Sequence, residues 1–294
     1  MRISNIQFTS IMQTAIQRNN ADLNTVFTQM ASGNKINKFS DDPLATVQLA
    51  SLEQTIAMSG QYDRNIANVQ GKYDQYETYI SSAESILQEA NDLALRASNG
   101  SLAPESLEGI AIEMESIKQE MLSLMNTQDQ GSYLFSGTDV DSPAISTTPP
   151  YDLLGNDDHR ETKVSENGFV QNNFTVNDVL GGSDIFVQMD KMIAELNNPT
   201  AAFSDVMAES IDLIQDVHVN VNRSLGQIGA QYNSLTRAAG TNADIQLYAE
   251  GVQTDIIELD YAEASVRLNQ GMLALEATQK SYSSIIGLSL FDYV

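Results

Sequence analysis

The chain has 294 residues, no cysteine, no tryptophan and 7% aromatics, so its core must rest on Leu, Ile, Val, Ala and 11 Met, a composition suited to helix packing. A formal net charge of −24, from 39 acidic against 15 basic residues, argues against nucleic acid and against an anionic membrane surface. Without cysteine there are no disulfides, thiolate nucleophiles or Cys-ligated metals, and no apolar run reaches the ~20 residues of a membrane helix.

From the N-terminus, Met12, Ala15, Asn19, Leu23, Val26 and Met30 step by three or four, which predicts a helix over about 5–31 with a coiled-coil-like stripe. Ser4, Asn5, Gln7, Thr9 and Ser10 break up any apolar h-region, so no cleaved Sec-type signal is expected. Gly33 fits the left-handed residue that closes the helix, and 34–40 read as a loop. Asp42 then fits an N-cap and Pro43 the first helical position, so Gly33, Asp42 and Pro43 are read together as a structural corner.

A second helix is predicted from Pro43 to about Ser98, with Gly60 and Gly71 as weak points, and Pro104 opens a third. Gly131 to Gly137 encloses Tyr133-Leu134-Phe135 and reads as a hairpin. Turn signals then recur (Pro143, Pro149-Pro150, Gly155-Asn156, Asn167-Gly168, Gly181-Gly182), so 138–183 is expected to be a small, mostly β insert projecting sideways as a solvated surface. Helices resume over 185–196 and again near Phe203. A break near Gly240-Thr241 is expected before a last helix over about 242–286, whose stripe is Ile256, Leu259, Ala262, Val266, Asn269 and Leu273.

The fold class is therefore mainly α with a small β insert, as a long antiparallel helical rod built from both termini. The expected parts are 1–40 (terminal helix and loop), 41–137 (rod and hairpin), 138–183 (insert), 184–241 (returning rod helices) and 242–294 (last helix and tail). The two terminal stripes are expected to form one layer and to pack between subunits, with Asn19 and Asn269 in the seams fixing register. Ile286, Leu288, Leu290 and Phe291 read as a tail for burial or a partner.

Chemistry is sparse. His159, within Asp157-Asp158-His159-Arg160-Glu161, reads as a solvated loop, because consecutive residues cannot converge on one ion; His218 reads as a surface or packing residue. Asp139-Val140-Asp141 begins like a calcium loop, but Ala144 stands at its glycine and Pro150 at its closing glutamate. No phosphate loop, zinc motif or nucleophile elbow is present, so no catalytic residue, cofactor or metal site is assigned.

Several segments resemble one family. Met30-Ala31-Ser32-Gly33-Asn34-Lys35-Ile36-Asn37-Lys38-Phe39-Ser40-Asp41-Asp42-Pro43 resembles a segment shared by bacterial flagellins and flagellin-like proteins, as does Asp92 to Gly100. Arg223-Ser224-Leu225-Gly226 and Leu268 to Leu275 resemble their C-terminal helices. Gly131 to Thr138 and the ending Leu288-Ser289-Leu290-Phe291-Asp292-Tyr293-Val294 are similar to the hook-associated branch of that superfamily rather than to flagellin itself. The resemblance covers about 1–138 and 200–294 and leaves the insert unmatched.

That resemblance implies a flagellin-like structural part, not an enzyme, that joins flagellar hook to filament in the extracellular flagellum. Its implied partners are copies of itself in a ring, the other junction protein, flagellin and a cytoplasmic export chaperone on the C-terminal helix. Uncleaved type III export is implied as well, with no nucleic-acid or membrane partner. The alternatives are a filament subunit and, in a different class, an acidic helical adaptor or effector.

Overall fold

In the computed structural model, residues 2–99 and 102–291 are described, with side chains over 7–99 and 102–284. The elements are α1 (Arg2–Ser32), α2 (Pro43–Ala97), α3 (Pro104–Met125), β1 (Gln128–Asp129), β2 (Ser132–Tyr133), β3 (Glu161–Lys163), β4 (Phe169–Gln171), α4 (Val176–Leu180), α5 (Asp184–Asn197), α6 (Phe203–Ile257) and α7 (Tyr261–Phe291). They divide into two compact units, Ser59–Ala243 and Met1–Met58 with Asp244–Val294.

The Ser59–Ala243 unit is organised by one stripe on α2. Ile66, Val69, Tyr73, Tyr76, Ile80, Ala83, Leu87, Ala90, Ala94 and Ala97 are all buried, and they alternate three- and four-residue steps without a slip. Steps of 3.5 on average keep one narrow face turned to its partners. Met207, Ile214, Val217, Val221, Ile228 and Leu235 of α6 bury into the same core, as do Ile110, Met114, Ile117, Met121 and Met125 of α3. Neither Gly60 nor Gly71 interrupts α2, because the ~1 kcal/mol that glycine costs a helix is small against a continuous buried seam.

The β1–β2 hairpin turns at Gln130-Gly131 and carries Phe135 back onto α2, where Tyr76 meets it edge-on at 5.5 Å. Phe174, from the insert, packs edge-on against Tyr76 at 5.4 Å and Tyr73 at 6.2 Å. Tyr76 donates its hydroxyl to the Leu134 carbonyl at 2.8 Å, which removes the cost of burying it.

The insert departs from the expectation of a mostly β, laterally projecting segment. Its only paired strands are the three-residue β3 and β4, with Thr162 opposite Val170, and it contains the short helix α4. Ala144, Ile145, Tyr151, Val164, Phe174, Val176, Val179 and Leu180 are buried in the core of this unit rather than held out in solvent. Side-chain amides replace the missing ladder. Asn126 accepts from Ile145 N at 3.1 Å and donates to Ile145 O at 2.9 Å. Asn173 does the same between Arg160 N (2.7 Å) and Asp158 O (3.1 Å), and Asn242 donates to Val164 O at 3.1 Å. Each amide supplies a donor and an acceptor, so buried backbone stays satisfied where Pro and Gly forbid a longer strand.

The helix break expected at Gly240-Thr241 is absent; α6 runs through both to Ile257, and α7 begins at Tyr261 rather than near 242. The true break, at Glu258–Asp260, contains neither Gly nor Pro. Asp260 caps α7, accepting from Ala262 N at 2.8 Å and Glu263 N at 3.1 Å. The spacing Asp260-x-x-Glu263 is itself a cap signal in the sequence, and it outweighs the glycine at 240.

Lys118 of α3 is buried between Glu115 (2.7 Å) and Asp190 of α5 (2.5 Å), and Tyr151 of the insert donates to the other Asp190 oxygen at 2.7 Å. Burial alone would lower the Lys118 pKa, but its hydrogen bonds to Asp190 and Glu115 outweigh burial and raise it. Burial would raise that of Glu115, but its hydrogen bonds from Lys118 and Gln119 leave it lowered.

The Glu115 contribution is therefore complete above its unfolded pKa of about 4.3 and is lost as pH falls through the lowered folded value. The Lys118 contribution is complete below about 10.4 and is lost only as pH rises through its raised value. Lys118→Met should lower stability at neutral pH by about 1–3 kcal/mol in denaturant titration. That is below the fully buried range because the Glu115 and Asp190 side chains keep 44% and 33% exposure. It should also flatten the acid limb of stability against pH; an unchanged limb would show that the cluster does not set it.

Candidate assembly surface

In the unit formed by Met1–Met58 and Asp244–Val294, α1 packs along α7. The α1 stripe lies on the packed side. Leu23 and Val26 are buried, and Met12, Asn19 and Met30 are half-buried. Gln29 is buried beside them and donates from Nε2 to the Lys35 carbonyl at 2.7 Å. Asn19 lies on this packed side and hydrogen-bonds Thr278, at 3.4 Å from Nδ2 to Oγ1.

On α7 the expected stripe faces away from α1. Ile256 and Leu259, which precede the helix, are half-buried and buried. Val266 and Leu273 are 53% and 66% exposed, and Ala262 and Asn269 are exposed too. The inner face is instead Ala264, fully buried, followed by Leu268, Gly271, Leu275, Thr278 and Tyr282, all partly buried at the same three–four spacing. The two stripes sit two residues apart, about 200° around the helix. Gly271 decides between them, since a Cβ there would stand 2.8 Å from Leu23 Cδ2. Ala264 and Gly271 let the two backbones approach closely. The larger side chains are left outside, together with Tyr261 and Met272 on α7 and Ile11 and Phe27 on α1.

The corner is held by backbone. Gly33 has φ +75° and closes α1 by donating to Gln29 O at 2.9 Å. Lys35 N donates to Ile257 O at 2.6 Å and Leu259 N to Gly33 O at 3.0 Å, so the loop after α1 and the one before α7 make a short antiparallel bridge. Tyr261 donates to Met30 O at 3.2 Å across it. Asp42 caps α2 through Ala45 N at 3.0 Å, with Pro43 at the first helical position. Asp41, not singled out in the sequence, folds the loop by accepting from Asn37 N at 3.1 Å and Lys38 N at 2.9 Å. Gly240, where a helix break is expected from sequence, lies within α6 and makes no corner. Ile286, Leu288, Leu290 and Phe291 fall on the last turns of α7, and their side chains lie outside the described residues.

Charge separates these helices from the rest. α1 and α7 carry Arg2, Arg18, Arg267 and Lys280 against Asp22, Glu263 and Glu276, so the −24 excess resides almost wholly elsewhere. The histidines are peripheral. His159 approaches Asp178 at 3.8 Å and Gln171 at 3.0 Å, and His218 lies 3.7 Å from Glu84, a carboxylate brought from a distant part of the chain. Among the described residues no His/Asp/Glu cluster is arranged to hold a metal ion, and no helix is long and apolar enough to cross a membrane.

Residues 3–139 match the bacterial flagellin N-terminal helical region. A flagellar hook-associated protein from Vibrio parahaemolyticus, of solved structure, is 31% identical, with a TM-score of 0.70 over 74% of this chain and 100% of that one. This chain belongs to the flagellar hook-associated protein family. It is 25% identical over 286 residues to flagellar hook-associated protein 3 of Escherichia coli K12, covering 90% of each. The flagellar junction protein FlgL from Legionella pneumophila, at 16% identity and a TM-score of 0.60 over 71% of this chain and 99% of that one, shares the fold. The family's members are structural flagellar proteins, and a structural role at the hook–filament junction follows for this chain.

The two α7 faces make opposite predictions. Val266→Ser with Leu273→Ser should leave monomer stability within about 0.5 kcal/mol while suppressing polymerisation seen by light scattering. Leu23→Ala should cost the α1–α7 pair about 2 kcal/mol or more, read by hydrogen exchange in that pair. If the double serine variant melts earlier and still polymerises, the outer face is not an assembly surface.

Proposed function

We propose that α1 and α7 form the polymerising element of this junction protein, and that the outer α7 face at Val266, Asn269 and Leu273 packs against neighbouring copies in a ring. The observation that carries this is the coincidence of exposed large apolar side chains with the one pair of helices that escapes the acidic excess. Burying them in a neighbour removes apolar surface from water without bringing the bulk of the −24 charge together. The acid-rich remainder keeps the chain soluble beforehand.

The α1–α7 seam is thin: beyond Leu23, Val26 and Ala264 its members are mostly half-buried, and narrow-stripe helices are marginal alone. In this reading the pair frays in the free subunit and orders when a neighbour covers its outer face, so burial drives assembly and ordering entropy limits it. The flanking rings would be the other junction protein on one side and flagellin on the other. A cytoplasmic chaperone would hold the C-terminal helix, with its Ile286–Phe291 tail, before uncleaved export to the cell exterior.

Hydrogen exchange on the full chain should show weak protection of 7–32 and 261–284 in the monomer and strong protection once assembled, with 59–243 unchanged. Full protection of the terminal pair in a monodisperse monomer would overturn the ordering step. Deleting the gene should leave hooks without attached filaments and filament protein in the medium; intact filaments would refute the junction role.

A further inference from the structure

The Ser59–Ala243 unit contains a polar groove of about 590 Å³ between α2 and the loops at β1–β2 and β3–β4, lined by Asn68, Lys72, Gln75, Asp129, Gln130 and Asn172. Apart from Val69, Ala67 and Gly71, its walls are amides, hydroxyl and charge. Partial burial, with Arg160 adding to it, holds the Lys72 pKa below its ordinary value, and Asp129 pulls the other way. Among the described residues neither cation forms a salt bridge.

Arg160 adjoins the groove because Asn172, one of its walls, donates its backbone N–H to the Arg160 carbonyl at 2.8 Å. Its side chain reaches the Tyr76 hydroxyl, while its Nε is buried without a partner, as is the Asn172 Oδ1, whose Nδ2 is already committed to Thr162 at 2.6 Å. Lys72 is exposed and has one acid, Asp129, beside it in the groove, in a chain with 39 acids to 15 bases. Like charges brought together oppose folding unless something else fills the space between them.

We propose that this groove binds a carboxylate, with Lys72 as the charged anchor and the side-chain amides of Asn68, Gln75 and Gln130 as additional donors. Charge-assisted hydrogen bonds of this kind are short and strong, and the amides give them direction. Two sources share the chemistry: an acidic side chain of a second copy, which rests on the assembly reading above, and a free carboxylate from the surroundings, which does not.

Acetate titration of the monomeric full-length protein, followed by NMR of the side-chain amides, tests the site without assembly. Saturable shifts at Asn68, Gln75 and Gln130 are expected; Lys72→Met should weaken binding about tenfold or more, and Lys72→Arg should restore most of it. The second arm assembles a mixture of isotopically light and heavy copies and couples ammonium to carboxylate with a zero-length carbodiimide. A link from Lys72 to an Asp or Glu of the oppositely labelled copy identifies the second copy as the source. Saturable acetate binding without that link identifies a free carboxylate. A Lys72–Asp129 link within one copy as the sole product, with no saturable shift or one that Lys72→Met leaves unchanged, overturns the proposal.

Discussion

Two backbone hydrogen bonds, Lys35 N to Ile257 O and Leu259 N to Gly33 O, determine how the chain ends meet. They join loops more than two hundred residues apart, and they set α1 and α7 side by side from their first shared turn. Everything downstream follows from that register. Leu23 lies against Gly271, Asn19 reaches Thr278, and Tyr261 closes over Met30. The Asp41 and Asp42 carboxylates then fold the loop and start α2, so the bridge is held by caps on the α1 side and by Asp260 on the α7 side.

The two units solve the same problem differently. In Ser59–Ala243 the narrow α2 stripe is completely covered, by α3, α6 and the insert, and the aromatic cluster of Tyr73, Tyr76, Phe135 and Phe174 fills the place where the insert lands. In the terminal unit the inner seam is small-residue and shallow, and large side chains remain outside. The Ser59–Ala243 unit buries its stripe within itself, whereas the terminal unit leaves large apolar side chains exposed on both of its helices.

Much was legible because it depends on short-range chemistry. The α1 stripe, the Gly33 closure, the Asp42-Pro43 start and the Pro104 start each rest on residues within a turn of one another, and each forms where the pattern placed it. Gly240 misled because a glycine's local cost is small beside the burial of Leu235 and Ala249 on either side of it in α6. The insert misled for a related reason. Its turn residues suggested short strands joined by turns, and nothing local showed that Asn126, Asn173 and Asn242 would satisfy its backbone and let Ile145, Val164 and Phe174 enter the core.

By itself the sequence determined that the chain is helical, where most helices begin, that its ends carry 3.5-residue stripes, and that the acidic excess lies outside the two terminal helices. Tertiary structure decided which side of α7 faces α1. That helix is apolar on two opposite faces, and periodicity cannot rank two stripes that share a period. The choice fell to the closeness of approach that Ala264 and Gly271 permit against Leu23, a contact that exists only once the distant ends have been brought together.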